Sequence, residues 1–136
     1  MTLGMPQCRV LLADDDPQIR AFLQASLRAR QYLVDLASDG VEALEVVERL
    51  GATVNLLITD IKMPRMDGVS LARAVAQILP RLPVLFISGW ADPLEEPEWQ
   101  KPQYAFLRKP FLPKALVSCI EELLARSSAA SAAAHS

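Results

Sequence analysis

Five polar side chains follow short apolar runs in this sequence, and their types suit metal binding and phosphoryl transfer. They are Asp14, Asp15, Asp60, Ser88 and Lys109. Carboxylates that converge repel one another, which raises their pKa values, and a hard cation such as Mg²⁺ removes that penalty through oxygen ligands. An aspartate at the end of a buried strand can attack phosphorus as a nucleophile, while an ammonium and a hydroxyl hold the phosphoryl oxygens. Asp60 is therefore the candidate nucleophile, with Lys109 and Ser88 as the two donors.

Each of these residues also has a purely structural interpretation. The run Asp14 to Asp16 before Pro17 is typical of a helix N-cap, and Asp60 before a loop is typical of a turn. Ser88 before a glycine also suits a turn, and Lys109 before a proline suits an exposed loop. Because all of them follow predicted strands, the functional interpretation depends on the elements that position them.

Apolar runs alternate with helix-period segments along the chain. The predicted strands are Arg9–Ala13, Tyr32–Ala37, Val54–Thr59, Pro83–Ile87 and Tyr104–Leu107, and helices are predicted from Asp16-Pro17 through Leu27, over Ser38–Leu50, Ser70–Leu79 and Pro113–Ala125. This alternation predicts an α/β fold with a doubly wound, five-stranded parallel sheet and helices on both faces. Sites in such folds lie beyond the carboxyl ends of the strands. Four strands deliver a candidate residue there, and the second, ending near Ser38, is predicted to contribute none.

Three prolines interrupt the segment between Ser88 and Tyr104, namely Pro93, Pro97 and Pro102. Interior prolines remove backbone donors and clash with the preceding turn. We therefore expect the helix of this crossover to be short or irregular, with one turn at Pro93–Glu96.

The end of the chain differs in composition from the rest. Residues 127–136 consist of Ser and Ala with one His and lack the apolar side chains that order a segment by burial. We expect one domain over residues 6–126 and a disordered tail over 127–136.

Composition limits the classes of function. The 136 residues carry a formal net charge of −2, so no basic excess indicates nucleic-acid binding. Apolar runs are too short to span a bilayer, and no secretory signal is recognisable. Cys8 and Cys119 lie in apolar segments, which favours reduced thiols over a disulfide. These features predict a cytoplasmic protein without a membrane or nucleic-acid partner.

Four segments, in this order, resemble the receiver domain of two-component response regulators. They are Val10–Pro17, Leu56–Gly68, Pro83–Gly89 and Phe106–Phe111. The resemblance extends from about Arg9 to Leu124. It implies a flavodoxin-like fold, as in chemotaxis regulators, with strand order 2-1-3-4-5, and a Lys109–Pro110 bond that is often cis in the family.

The resemblance also implies roles for the candidate residues. Asp60 would be the phosphoacceptor, and the ligands of Mg²⁺, or of Mn²⁺ in its place, would be Asp14, Asp15, Asp60 and the backbone carbonyl of Lys62. Ser88 and Lys109 would hold the phosphoryl group. Phe106 would be the aromatic switch that follows Ser88, although a core role explains this ring equally well. Trp90 and Trp99 suit either a partner contact or partial burial.

The resemblance implies a signalling role. A histidine kinase or phosphotransfer domain would donate the phosphoryl group, and the switched chain would signal to a protein partner. A homodimer through the last edge of the sheet is compatible with this role. We expect self-phosphorylation from a phosphodonor and slow self-dephosphorylation rather than the turnover of a conventional enzyme.

Three alternatives stay open. The chain could be a phosphate-independent receiver that acts as a binding module, or the terminal receiver of a hybrid histidine kinase. It could also be a phosphohydrolase on a similar sheet, although an aspartate two positions after the nucleophile would favour that class, and Lys62 stands there.

Two departures from the common family pattern lead to further hypotheses. Lys62 lies two positions after Asp60, and Trp90 lies two positions after Ser88. A long cation and a bulky ring there would hinder the water that attacks the phosphoryl group, so we expect slow loss of phosphate. The prolines before Tyr104 suggest a remodelled or mobile face, which puts output through the family's usual surface in doubt.

Overall fold

The computed structural model describes residues 7–89 and 94–134. Within these ranges, no helix is both long and apolar enough to cross a bilayer.

A five-stranded parallel sheet forms the centre of the molecule. Its strands are β1 (Arg9–Ala13), β2 (Leu33–Ala37), β3 (Leu56–Asp60), β4 (Val84–Ser88) and β5 (Tyr104–Arg108). Their order across the sheet is β2-β1-β3-β4-β5, and every neighbouring pair is parallel. The predicted strand order is thus confirmed, and all five carboxyl ends lie on one edge.

Four α-helices cover the two faces of the sheet. They are α1 (Pro17–Arg28), α2 (Gly40–Leu50), α3 (Gly68–Ile78) and α4 (Pro113–Ala134). The predicted start of α1 is confirmed, since the carboxylate of Asp16 accepts from the backbone N–H of Gln18 at 2.9 Å, with Pro17 in the first helical position. The predicted starts of α2 and α3 were each off by two residues because Asp39 and Asp67 are the actual N-caps.

Alternation along the strands divides the core into two layers. Leu11 and Ala13 of β1 face α2 and α3, whereas Val10 and Leu12 face α1 and α4, and all four are fully buried. A sheet covered on both faces needs such continuous apolar strands. Cys8 and Cys119 belong to the second layer as half-buried free thiols rather than a disulfide.

The connection between β4 and β5 is irregular, as the prolines predict. In the part of it that the structure describes, the helical segment is a single 3₁₀ turn at Pro97–Gln100. The turn predicted at Pro93–Glu96 was wrongly placed: its first residue lies outside the described ranges, and Leu94 to Glu96 are not helical. Pro97 occupies the start of the observed turn, where its missing N–H costs nothing.

The last helix contradicts the prediction of a disordered tail for residues 127–134, and the last two residues of that predicted tail lie outside the described ranges. α4 continues without interruption from Pro113 to Ala134, past the predicted end at Ala125. The prediction considered only the lack of apolar side chains. Alanine has the highest helix propensity, and extending an existing helix avoids the cost of nucleation. The boundary of the domain at residue 126 stays a prediction.

Arg126 fixes the direction in which α4 runs. Its guanidinium donates to the backbone carbonyl of Pro102 at 2.9 Å and to that of Tyr104 at 3.0 Å. Tyr104 is the first residue of β5, so α4 has returned by residue 126 to the amino edge of the sheet.

Candidate functional site

Three carboxylates converge at the carboxyl edge of the sheet. Asp14 and Asp15 follow β1, and Asp60 is the last residue of the neighbouring strand β3. One carboxylate oxygen from each lies within 4.8 Å of the other two. The spatial convergence predicted from strand order is therefore present.

Asp14 is the most buried member of this cluster, with 1% of its surface exposed. Burial raises the pKa of its carboxyl above the ordinary value of 3.8, and the nearby charge of Asp60 raises this pKa further. A hydrogen bond from the backbone N–H of Asp16 and the charge of Lys109 lower the pKa in part. The sequence predicted a raised pKa from repulsion alone. Burial is the larger cause because β1 is a central strand.

The acidic run after β1 divides into different roles. Asp16 is the N-cap of α1, so the structural interpretation holds for this residue. Asp15 is exposed and belongs to the cluster. Arg20, one turn into α1, donates from Nη1 to the backbone carbonyl of Asp14 at 2.6 Å and so holds the run against the helix.

Lys109 places an ammonium inside the cluster. Its Nζ lies 3.4 Å from Oδ2 of Asp60 and 3.7 Å from Oδ2 of Asp14. The backbone N–H of Lys109 donates to the carbonyl of Ser88 at 2.8 Å, which fixes it beside the end of β4. The Lys109–Pro110 bond is cis.

A cleft opens beside Asp60 and Lys109. Its volume is about 210 Å³, and its other lining residues are Ile61, Lys62, Ser88 and Gly89. Since a water molecule occupies roughly 30 Å³ of liquid, the cleft has room for a phosphoryl group and several waters. Ser88 therefore lies where the sequence predicted it, at the edge of the same space as Asp60.

Phe106 belongs to an aromatic cluster beneath this edge. Its ring stacks on that of Phe86 with the centroids 5.1 Å apart, and Phe86 meets Trp99 edge-on at 5.3 Å. Trp99 is 2% exposed, so burial rather than a partner contact describes it. Phe106 is half-buried, and its switch role stays a prediction. Trp90 lies outside the described residues.

The loop between β3 and α3 closes tightly over the end of β3. The backbone N–H of Gly68 donates to the carbonyl of Ile61 at 2.7 Å. A side chain at Gly68 would collide with the backbone oxygen of Asp60, so only glycine permits this approach. The loop thereby holds Lys62 next to the cluster, and its side chain is exposed.

Two residues of this edge escaped the sequence prediction. Asp39, two residues after the end of β2, is 7% exposed and forms an ion pair with Arg65 of the loop. The sequence prediction assigned no residue of this edge to the second strand because Asp39 was taken for part of a helix. The pattern of an acidic residue three positions before Glu42 is a capping signature and could have identified the cap, but not its ion pair.

An apolar groove lies elsewhere among the described residues. It has a volume of about 370 Å³ at the amino edge of the sheet, between Val54, Ile78 and Leu82. Because its lining includes no carboxylate, hydroxyl or thiol side chain, we assign the chemistry to the carboxyl edge.

The carboxylate cluster fits a hard divalent cation. Oδ2 of Asp14 is buried, and no hydrogen-bond donor reaches it from the described part of the chain. A buried carboxylate oxygen without a donor is costly, and three convergent oxygens are the donor set that Mg²⁺ prefers. This buried oxygen, which the ammonium of Lys109 approaches only to 3.7 Å, and the carboxylate cluster together support the predicted metal site.

We expect Asp14→Asn to stabilise the metal-free protein at neutral pH by on the order of 1 kcal/mol. Burial and Asp60 disfavour the charged form of Asp14. A raised native-state pKa means that stability falls as the pH rises through the interval between 3.8 and the native value. The advantage should therefore vanish in acid below that interval, as urea unfolding in EDTA at about pH 7 and about pH 3 would reveal.

Added Mg²⁺ provides the control for this variant. At one hundred times the Kd, a metal that binds only the native state stabilises it by about 2.7 kcal/mol. The wild-type chain should gain this stability, and Asp14→Asn should gain much less. A variant that is less stable than the wild type in EDTA at neutral pH would contradict the prediction.

Comparisons with known proteins agree with this geometry. The sequence model of the response regulator receiver domain matches residues 10–121. The chain is 40% identical over 117 residues to the response regulator receiver protein CpdR of Brucella abortus, covering 85% of this chain and 96% of that protein. It is also 37% identical over 116 residues to the sensor kinase CckA of the same organism, covering 85% of this chain but only 12% of the kinase.

A solved structure gives the same result. The receiver domain of the hybrid histidine kinase CckA superposes with a TM-score of 0.74 at 35% identity, over 85% of this chain and 98% of that one. The residues matched by the family model, 10–121, include every residue of the carboxylate cluster.

Proposed function

The chain belongs to the family of response regulator receiver domains of two-component systems, and we propose that Asp60 accepts a phosphoryl group in a Mg²⁺-dependent reaction. The observation that carries this proposal is the ammonium of Lys109, 3.4 Å from Asp60 and 3.7 Å from Asp14. An ammonium amid carboxylates at the mouth of a cleft suits transfer of a dianionic group.

The reaction forms one bond and breaks one. A carboxylate oxygen of Asp60 attacks phosphorus, the bond from phosphorus to the donor breaks, and its electron pair leaves with the donor. With a phosphohistidine donor, the departing nitrogen regains a neutral imidazole by taking up a proton. Mg²⁺, or Mn²⁺, supplies charge neutralisation for the carboxylates and phosphoryl oxygens when bound by Asp14, Asp15, Asp60 and the carbonyl of Lys62.

Lys109 and Ser88 receive the transferred group. Lys109 exchanges its contact with Asp60 for contacts with the phosphoryl oxygens. The hydroxyl of Ser88 donates to another of these oxygens. As Ser88 moves inward, the stacked ring of Phe106 follows, and this displacement at the edge of the sheet is the signal that a protein partner reads.

The phosphoryl donor in this proposal is a histidine kinase or a phosphotransfer domain. The downstream target in this proposal is a protein. We further propose a homodimer formed through the β5 edge of the sheet, and a cytoplasmic location. Two relatives support different domain arrangements. CpdR matches over nearly its whole length, which supports a stand-alone regulator, and CckA matches over a small part, which supports the receiver of a hybrid kinase.

Acetyl phosphate tests the proposal on the wild-type chain. Incubation with Mg²⁺ should add one phosphoryl group to the intact mass and change the tryptophan fluorescence. The absence of an adduct, together with no response to beryllofluoride, would indicate a phosphate-independent binding module. Continuous release of phosphate would indicate a phosphohydrolase.

We expect Lys62→Asn to shorten the lifetime of the phosphorylated chain several-fold. The exposed side chain of Lys62 borders the cleft beside Asp60, where its length excludes water from the acyl phosphate. Asparagine keeps the backbone carbonyl and removes the bulk. Loss of the phosphoryl mass with time measures the effect, with Lys101→Asn, an exposed lysine in the β4–β5 connection, as the control. An unchanged lifetime would refute it.

A further inference from the structure

The ion pair between Arg65 and Asp39 has the geometry of a fixed contact. Nε of Arg65 donates to Oδ2 of Asp39 at 2.7 Å, and Nη2 donates to Oδ1 at 3.1 Å. Only 10% of the Asp39 side chain is exposed. Exposed ion pairs are usually weak, but a two-pronged arginine fork on a carboxylate with fixed geometry is the exception.

Asp39 is held independently of its partner. It is the N-cap of α2, and its Oδ1 accepts from the backbone N–H of Glu42 at 2.8 Å. The contact with Arg65 lowers the pKa of Asp39, with the hydrogen bond from Glu42 acting in the same direction. Asp39 therefore stays ionised at neutral pH and provides a rigid anchor for the guanidinium.

Arg65, in contrast, lies in a loop under local strain. Its φ is +64°, a left-handed conformation that is unfavourable for an L-residue. The following residue, Met66, donates its backbone N–H to the carbonyl of Pro64 at 2.7 Å. A conformation of this kind persists only where surrounding contacts impose it.

Gly40 marks a second contact between the same two segments. A side chain there would collide with the backbone oxygen and the side chain of Met66. The first turn of α2 and the loop after β3 thus meet through backbone packing as well as through the ion pair.

We propose that Arg65 and Asp39 are a positioning pair, which fastens the loop after Asp60 to the first turn of α2 and thereby fixes the Lys62 carbonyl for metal binding. This inference rests on the proposed function. Mg²⁺ requires nearly ideal octahedral geometry, so a loop that wanders by a fraction of an ångström binds it less well. Arg65 acts through the loop and is not a catalytic residue.

Substitutions on both sides of the pair test it in the full-length chain. Asp39→Asn keeps a good N-cap for α2 but removes the carboxylate that binds the Arg65 guanidinium. Arg65→Ala removes the guanidinium and leaves the carboxylate in place. We expect each to weaken Mg²⁺ binding about 10-fold by calorimetry without a phosphodonor, the lower end of the loss typical of residues that orient metal ligands. The double variant should be no weaker than either single variant, because both remove one interaction.

Hydrogen exchange supplies a readout that needs no metal. In the metal-free Arg65→Ala variant the amides of Met66 and Gly68 should exchange faster than in the wild type, and that of Leu57 in β3 should not change. Arg65→Gly distinguishes loss of the ion pair from a change in backbone strain, since glycine adopts the positive φ freely. It should lose Mg²⁺ affinity as Arg65→Ala does.

Arg73→Ala is the matched control. Arg73 of α3 forms a similar ion pair with Glu98, at 2.7 Å and outside the loop, so its loss should leave Mg²⁺ affinity unchanged. Wild-type affinity and loop exchange in Arg65→Ala and Asp39→Asn would overturn the positioning role, as would additive losses in the double variant. A wild-type chain that binds Mg²⁺ but takes no phosphate would defeat only the proposed function, while one that binds no Mg²⁺ would defeat both.

Discussion

Asp60→Asn is expected to abolish phosphorylation by acetyl phosphate. Asparagine has nearly the volume of aspartate, and 12% of the Asp60 side chain is exposed, so the fold should tolerate the exchange. The neutral amide oxygen is a far weaker nucleophile than a carboxylate and cannot form an acyl phosphate. Intact-mass spectrometry should detect no added phosphoryl group under conditions that fully modify the wild type.

Asp60 also belongs to the proposed metal site, so the assay must run at Mg²⁺ concentrations that saturate the variant. Asp16→Asn is the matched control because Asp16 lies at the same edge as a helix cap, and asparagine caps equally well. This control should be phosphorylated like the wild type. If Asp60→Asn still gains the phosphoryl mass, the acceptor lies elsewhere, and peptide mapping would show whether Asp14 or Asp15 carries it.

Lys109→Met is expected to change two measured quantities in opposite directions. Phosphoryl transfer from acetyl phosphate should slow by about 10²-fold, the loss typical of removing one donor aimed at developing charge. Mg²⁺ should bind more tightly, because the ammonium 3.4 Å from Asp60 and 3.7 Å from Asp14 competes with the metal for the same carboxylates.

The initial rate at saturating Mg²⁺ and the calorimetric Kd without phosphodonor measure these two effects separately. Lys101→Met should alter neither, because this exposed lysine precedes the amino end of β5, at the edge of the sheet opposite the cluster. Weaker Mg²⁺ binding in Lys109→Met would mean that the lysine organises the carboxylates rather than competing for them. An unchanged transfer rate would remove Lys109 from the mechanism.

The sequence was informative about the site because each key residue directly follows an apolar strand. Parallel strands bring their carboxyl ends to one edge regardless of loop details, so Asp14, Asp60 and Lys109 could be placed together before any coordinates. The Asp16-Pro17 cap was equally predictable, since capping is local chemistry.

Contacts between distant segments could not be predicted in this way. Asp39 and Arg65 are 26 positions apart, and in isolation they suit a helix cap and an exposed loop cation. Trp99 is buried only because the irregular connection brings it onto Phe86. The continuation of α4 to Ala134 was missed because the prediction considered only the lack of apolar side chains and not the high helix propensity of alanine.

The path of α4 has a consequence for how this domain can be joined to other modules. Through Arg126 the helix is tied to the start of β5, and its last eight residues to Ala134 project about 12 Å further. β1 also begins at this amino edge. A covalent tether at either end of the described chain therefore emerges on the side opposite Asp60, and fusion or surface immobilisation there leaves the phosphoacceptor accessible to an incoming donor.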